Sequence, residues 1–316
     1  MPPTTPRKVI IDCDPGIDDA AALAMALFDP RLDVVAVTAV GGSVGPEQAT
    51  ANVHSVVSFL DPPRIPRVGV APADAHPVDV PHAMHGPDGL GGAELPRVQL
   101  HGGHQSEKVI WESIKAHPRE ITIVALGPLT NIARVFARDP SIVELVAGLV
   151  ISGGTVHGTG NASAVADGNF FADPQAACHV IREPVAKLLV PLETTSQVLL
   201  GFEFLDQLPR EVSRAGQLLR RMMPHAFRAH RQILGSEGIW LHDAVSLVAL
   251  TNPELFERAS VVADVETSGE LTSGMLVIDR RQTRRSRPTC DLLVGCDAAA
   301  VTDCILRGFA LAADAT

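Results

Sequence analysis

The chain has 316 residues, 46% hydrophobic and 20% charged, enough apolar material to bury one large core. A formal net charge of −10 argues against a general nucleic-acid binder and suits a small neutral partner. No run of about 18 apolar residues occurs, so no membrane span is expected. The polar lead-in MPPTTPRK lacks a signal-peptide hydrophobic region, and five cysteines, odd in number and without paired spacing, read as reduced thiols; a cytoplasmic protein is expected.

The most informative stretch comes first. Val9-Ile10-Ile11 is β-branched throughout and predicts a buried strand, and the Ala/Leu/Met run that ends near residue 27 predicts a helix. Between them stand Asp12, Asp14, Asp18 and Asp19. Pro15 biases Asp14 toward an extended backbone, Gly16 permits the turn, and Asp18 and Asp19 fall in the first helical turn, where the macrodipole favours negative charge. The acids thus sit at the carboxyl end of a strand, where open α/β sheets bind ligands. Carboxylates this close oppose one another's ionisation unless a cation lies among them. Oxygen donors with no Cys or His ligand interleaved suit Ca²⁺ or Mg²⁺ rather than Zn²⁺. Simple capping of backbone groups competes with this reading chiefly for Asp12.

A second strand is expected over Leu32–Val40, running into Gly41-Gly42, then a helix from about Pro46 and a short strand at Val68–Val70. Residues 71–105 are rich in Pro, His and Gly and predict a loop able to act as a lid; His101 and His104 lack a third metal ligand. A helix at 105–116 and a buried strand at Ile121–Leu126 lead into Gly127-Pro128-Leu129-Thr130-Asn131-Ile132-Ala133, where Thr130 and Asn131 suit a helix cap. After a strand at Leu149–Ile151 come Ser152, Asn161 and Ala166-Asp167-Gly168-Asn169, residues also suited to Asx-turns. A strand at Val185–Leu192 precedes an Arg-rich helical pattern from Pro209 to Leu234, interrupted at Pro224, and then His242-Asp243-Ala244. Arg280–Arg287 is the basic run, read as a solvated loop or subunit contact. The β-α alternation predicts an α/β fold: a mostly parallel central sheet flanked by helices, a Rossmann-like open sheet. We expect a single domain over 1–316, with loop lids over the site.

Asp12-x-Asp14-Pro15-Gly16-x-Asp18-Asp19-Ala20 resembles the signature of the nucleoside hydrolases, the inosine–uridine-preferring N-ribohydrolase family. Asp12-x-Asp14 alone also resembles the nucleophile motif of haloacid-dehalogenase-type phosphatases, but Gly16 and the paired aspartates do not fit it. The segments His85-Gly86-Pro87-Asp88-Gly89-Leu90-Gly91, Gly127–Ala133 and His242-Asp243-Ala244 follow in the nucleoside hydrolase order. The resemblance implies calcium-dependent hydrolysis of ribonucleosides to ribose and free base, by a homo-oligomer (dimer or tetramer) with no nucleic-acid or membrane partner. It implies Ca²⁺ on Asp14, Asp19, Asp243 and the Thr130 carbonyl, with Asp14 also as general base. Asp18, Asn161, Asp167 and Asn169 would bind the sugar, His85 the base, and His242 would act at the leaving base. Gly42, Ser152 and Asp167 depart from the family pattern of Asn, Met and Glu. They keep open an alternative: a nucleoside-binding protein, or a hydrolase of another ribosyl compound.

Overall fold

The computed structural model describes residues 5–74, 84–96, 103–157, 159–281 and 287–316. The chain opens as β1 (Arg7–Cys13), α1 (Ile17–Ala26), β2 (Leu32–Ala39), α2 (Pro46–Leu60), β3 (Arg67–Val70), β4 (His104–Gln105) and α3 (Ser106–Ala116). It continues through β5 (Thr122–Ala125), α4 (Thr130–Arg138), β6 (Gly148–Ser152), α5 (Gly168–Ala172), α6 (Pro174–Arg182), β7 (Lys187–Val190) and α7 (Leu192–Thr195). The last part contains β8 (Leu200–Gly201), α8 (Glu203–Gln207), α9 (Arg214–Ala229), β9 (Gly238–Ile239), α10 (His242–Thr251), β10 (Phe256–Val261), β11 (Ala263–Val265), β12 (Leu276–Ile278), β13 (Cys290–Cys296) and α11 (Ala298–Ala315).

Nine strands form one sheet in the order β10-β13-β7-β6-β5-β1-β2-β3-β4, and within it only β10 runs antiparallel to its neighbour. The expected mostly parallel sheet is therefore present. Strand order proceeds from β1 to β2, β3 and β4 on one side, then returns to β5 on the other. The crevice between β1 and β5 is the topological switch point, where such sheets receive ligands.

Both faces are covered. Val9 and Ile11 point into a core with α1, α9, α10 and α11, while Ile10 points into a second core with α3, α4 and α6. That alternation is the two-residue period of a strand buried on both sides. The alanines of α1 let it lie close to α10 and α11, leaving nine of its ten residues buried. The helical pattern expected from Pro209 to Leu234 is observed only from Arg214, and it passes through Pro224 without breaking. A buried face including Met222, Met223, Ala226 and Phe227 offsets the lost backbone hydrogen bond, and the helix ends in a π-turn at His230–Leu234. The run expected as one strand to Leu192 stops at Val190 and turns into α7.

Parts of the long loop (75–83 and 97–102, including His101) and residues 282–286 of the basic run lie outside the described residues. Of that run, Arg281 pairs with Asp279 at 2.8 Å and Arg280 donates to the Val156 carbonyl at 3.0 Å. All five cysteines carry free thiols. Among the described residues no helix is long and apolar enough to cross a membrane.

Candidate active site

A cavity of about 550 Å³ opens over the carboxyl ends of β1, β5, β6 and β7. Asp14, Asp18, Asp19 and Asp243 line it, so the first turn of α10 delivers the fourth carboxylate to the end of β1. Each of Asp18, Asp19 and Asp243 offers an oxygen within 4.8 Å of the others. Asp14 borders this trio but is held from behind, where the Ser43 N–H donates to its Oδ2. Glycines make its berth: an added Cβ on Gly42 would come to 2.2 Å from Asp14 Oδ2, and one on Gly127 to 2.6 Å from Oδ1.

The electrostatics follow from burial. Asp14, Asp19 and Asp243 are nearly inaccessible, and desolvation, with the charge of neighbouring carboxylates (Asp18 in every case) added to it, raises all three above the usual carboxylate range. Asp19 Oδ2 accepts from the Gly16 N–H at 2.8 Å, while its Oδ1 is buried without a hydrogen-bond partner. An orphaned carboxylate oxygen in an all-oxygen cluster is the arrangement a hard divalent cation satisfies. Ser152 Oγ donates to Asp243 Oδ1 at 3.1 Å and orients it.

Asp12 belongs to the frame. Its Oδ1 accepts from Thr38 Oγ1 at 2.6 Å and from Asn131 Nδ2 at 2.8 Å, and burial pushes the group up to about 7. It ties β1, β2 and α4 together and does not line the cavity.

Thr130 requires a correction. It opens α4, its hydroxyl donates to Asp173 Oδ2 at 2.7 Å, and it does not line the cavity. Carbonyls in a first helical turn point along the helix toward residue i+4, so Thr130 is not positioned to serve the acid cluster. Leu126, four residues earlier and just past β5, is the residue of that segment in the cavity wall.

The other expected residues do reach the cavity, but several are engaged with the protein. Asp167 caps α5 by accepting from the Asn169 N–H at 3.0 Å, and it also takes the Gly154 N–H at 2.6 Å. Burial nonetheless raises it to about 6. Asn161 Oδ1 accepts from the Gly168 N–H, and Asn169 Nδ2 donates to the carbonyls of Leu126 and Ser152. His85 Nδ1 accepts from the Ile17 N–H at 3.1 Å, which leaves the ring proton on Nε2. The His85 loop is fastened to α2 as well, since Asn52 Nδ2 donates to the carbonyls of Pro15 and Asp88.

His242 is half-buried, and desolvation pushes it down to about 4, so at neutral pH it is an uncharged imidazole. Thr195 Oγ1 lies 2.7 Å from its Nδ1. Trp240 stacks beside it at 6.5 Å between ring centroids, with its Nε1–H fixed on the Ser196 carbonyl. Met84, Ile233 and Leu234 continue this apolar side. Sequence reading did not single out Leu126, Glu193, Thr195 or Trp240. Only Trp240 carried a signal, an aromatic two residues before the His-Asp pair.

Buried carboxylates at the switch point of a doubly wound sheet, beside a sugar-sized polar wall and an apolar shelf, define a nucleoside-cleaving class of enzyme. The inosine-uridine preferring nucleoside hydrolase family model matches residues 9–303. The non-specific ribonucleoside hydrolase RihC of Escherichia coli O127:H6 is 36% identical over 280 residues, covering 86% of this chain and 88% of that protein. Among solved structures, the plant nucleoside hydrolase PpNRh1 superposes with a TM-score of 0.87 at 29% identity, covering 96% of this chain and 99% of the other. The purine-preferring ribonucleoside hydrolase of Gardnerella vaginalis gives 0.89 at 25% identity, covering 98% and 100%. The chain belongs to the inosine-uridine preferring nucleoside hydrolase family, and its reaction is hydrolysis of the N-glycosidic bond of ribonucleosides.

Proposed function

We propose that the protein is a calcium-dependent ribonucleoside hydrolase of broad base tolerance. The observation that carries the metal assignment is the orphaned Asp19 Oδ1 inside an all-oxygen cluster. Asp14, Asp18, Asp19 and Asp243 surround the cation site, and the Leu126 carbonyl takes the place first given to Thr130. When bound, the ion supplies a Lewis acid that orients water and the 2′- and 3′-hydroxyls of the ribose.

The chain's own residues supply the rest. Asp14, raised by burial and fixed by the Ser43 N–H, takes the proton of the attacking water. Asp18, the most accessible of the four, accepts from the 2′-hydroxyl, so 2′-deoxynucleosides are poor substrates. The clustered carboxylates favour positive charge developing on the sugar in the oxocarbenium-like transition state. Thr195 Oγ1 lies 2.7 Å from Nδ1; in the tautomer where it donates to Nδ1 the His242 proton sits on Nε2, and a neutral His242 then donates a hydrogen bond to the departing base. Trp240, Met84, Ile233 and Leu234 meet the base by its faces, a contact every base can make, and His85 closes over it. The departures at Gly42, Ser152 and Asp167 support the enzyme reading: they seat Asp14, orient Asp243 and cap α5. A single domain over 1–316, a dimer or tetramer, and a cytoplasmic site of action belong to the same proposal; they rest on the resemblance and the free thiols.

The test is ribose release from a panel of purine and pyrimidine ribonucleosides. We expect release by the wild type, loss in Asp14→Ala, loss after EDTA and recovery with Ca²⁺ but not with Zn²⁺. Activity that survives exhaustive chelation would remove the metal from the proposal.

A further inference from the structure

Two acids of the cavity, Asp167 and Glu193, take no part in the hydrolysis itself. Glu193 stands in α7, directly after β7, and lines the cavity with Asn161, Asp167 and Asn169. Its Oε1 accepts from the backbone N–H groups of Val156 and His157, each at 2.8 Å. Its Oε2 is buried and has no hydrogen-bond partner. A carboxylate oxygen taken out of water without a donor is destabilising unless a ligand supplies one.

Asp167, one of the residues expected to bind the sugar, is already committed. Its two oxygens serve the N–H groups of Gly154, Asn169 and Phe170. Glu193 and Asp167 therefore hold the same short segment, through Gly154 and through Val156 and His157, and only Glu193 keeps an oxygen in reserve.

The stereochemistry of the substrate points to the same place. In a β-ribonucleoside the 2′- and 3′-hydroxyls lie on one face of the ring, and the base and the 5′ arm on the other. With the hydroxyls on the Asp18, Asp19 and Asp243 cluster and the base along Trp240, the 5′ arm is left to the wall of Asn161, Asp167 and Glu193.

We propose that Glu193 accepts the hydrogen bond of the substrate's 5′-hydroxyl through Oε2, and so selects nucleosides with a free, uncharged 5′ end. This rests on reading the cavity as a ribonucleoside site. A 5′-phosphate would meet Glu193 with no compensating cation, because neither Lys nor Arg lines the cavity among the described residues. Nucleoside 5′-monophosphates are thus rejected by charge as well as by size.

The experiment compares wild type, Glu193→Gln and Asp167→Asn on uridine and 5′-deoxyuridine. In Glu193→Gln the amide oxygen must stay toward Val156 and His157, since an NH₂ group cannot accept from their N–H groups. The loop is kept, and the reserve carboxylate oxygen is replaced by an NH₂ group that offers the 5′-hydroxyl only a neutral hydrogen bond. We expect wild type to prefer the 5′-hydroxyl about 10- to 100-fold in kcat/KM, the range of one hydrogen bond to a charged group. Glu193→Gln should shrink that preference to about 3-fold while turning over 5′-deoxyuridine at the wild-type rate. Asp167→Asn turns an NH₂ group toward one of its N–H partners and should lower both rates together, leaving the preference intact. Equal losses on both substrates in Glu193→Gln, or a preference abolished by Asp167→Asn and not by Glu193→Gln, would overturn the proposal.

A binding arm separates this from the reaction itself. Calorimetric titration of the calcium-loaded protein with pseudouridine and its 5′-deoxy analogue uses a C-nucleoside that the reaction cannot cleave. If the wild type hydrolyses no nucleoside yet binds pseudouridine with the 5′ preference, and Glu193→Gln removes it, the Glu193 assignment stands while the hydrolase reading falls. Absence of any 5′ preference in both arms overturns the assignment.

Discussion

Adding a single methyl group at Gly42 tests whether Asp14 is seated by the absence of a side chain. The Cβ of Gly42→Ala would stand 2.2 Å from Asp14 Oδ2 and 2.9 Å from Pro128 Cδ. Ordinary contact begins near 3.4 Å, so the overlap with the carboxylate is about 1.2 Å. Pro128 Cδ crowds the methyl as well, so the carboxylate must swing by about 1 Å and leave the Ser43 N–H. A misplacement of that size costs about 10²-fold in rate, or ~2.7 kcal/mol of transition-state stabilisation. The assay is kcat/KM for inosine and uridine at saturating calcium, with thermal unfolding run in parallel to show that the fold is kept. Gly42→Asn should be at least as damaging, although Asn is the residue the family pattern carries there. Activity of Gly42→Ala within about 3-fold of wild type would refute the account of how Asp14 is held.

The remaining predictions concern the metal, the base and pH. Calcium should raise the melting temperature by several degrees, since a cation at about 100 times its Kd adds ~2.7 kcal/mol; scanning calorimetry of Asp19→Asn should show most of that increment gone. Trp240→Ala should raise KM for purines and pyrimidines alike by about 10-fold, whereas a rise confined to one base class would mean that the ring recognises an edge. Thr195→Val leaves His242 Nδ1 without its 2.7 Å partner and should lower kcat about 10-fold with KM little changed, read by steady-state kinetics. Asp167 sits at about 6 in the folded protein against an ordinary 3.8, so the folded state holds its proton more tightly than the unfolded chain. Its contribution to stability is present below pH 3.8 and is lost as pH rises through about 6. Asp167→Asn should therefore flatten that decline by up to ~3 kcal/mol in urea unfolding, at 1.36 kcal/mol per pKa unit; parallel slopes in the two proteins would contradict the shift.

Much of the sheet was legible because its strands are buried on both faces and their sequences are near-continuous apolar runs, as in Val9–Ile11 and Ile121–Leu126. The acid cluster was legible for a related reason: four aspartates around a Pro-Gly turn have few bland explanations. What could not be read was which atoms remain free after folding. Asp167 looks like a sugar ligand in sequence, yet its oxygens go to backbone N–H groups of a loop whose course no local pattern fixes. Glu193 looks like one more acid at a helix start, and only the fold shows that it lines the cavity and keeps an unpartnered oxygen. Thr130 failed differently. The motif around it is legible, but where the helix begins is not, and the fold puts Thr130 in the first turn of α4 with Leu126, not Thr130, in the cavity wall. The Pro224 interruption was overruled by packing, a contribution that helix propensity does not include.

The two ends of the large sheet have a consequence for how copies of this chain can meet. At one end β10 runs antiparallel and turns Glu257, Arg258, Ala259 and Ser260 outward; at the other, β4 is two exposed residues long, His104 and Gln105. An edge of charged side chains and an edge too short to template a partner both discourage the backbone-to-backbone pairing that extends sheets between molecules. Pairing of these two edges between copies is thus disfavoured, which leaves helix and loop surfaces as the places where copies of this chain can meet.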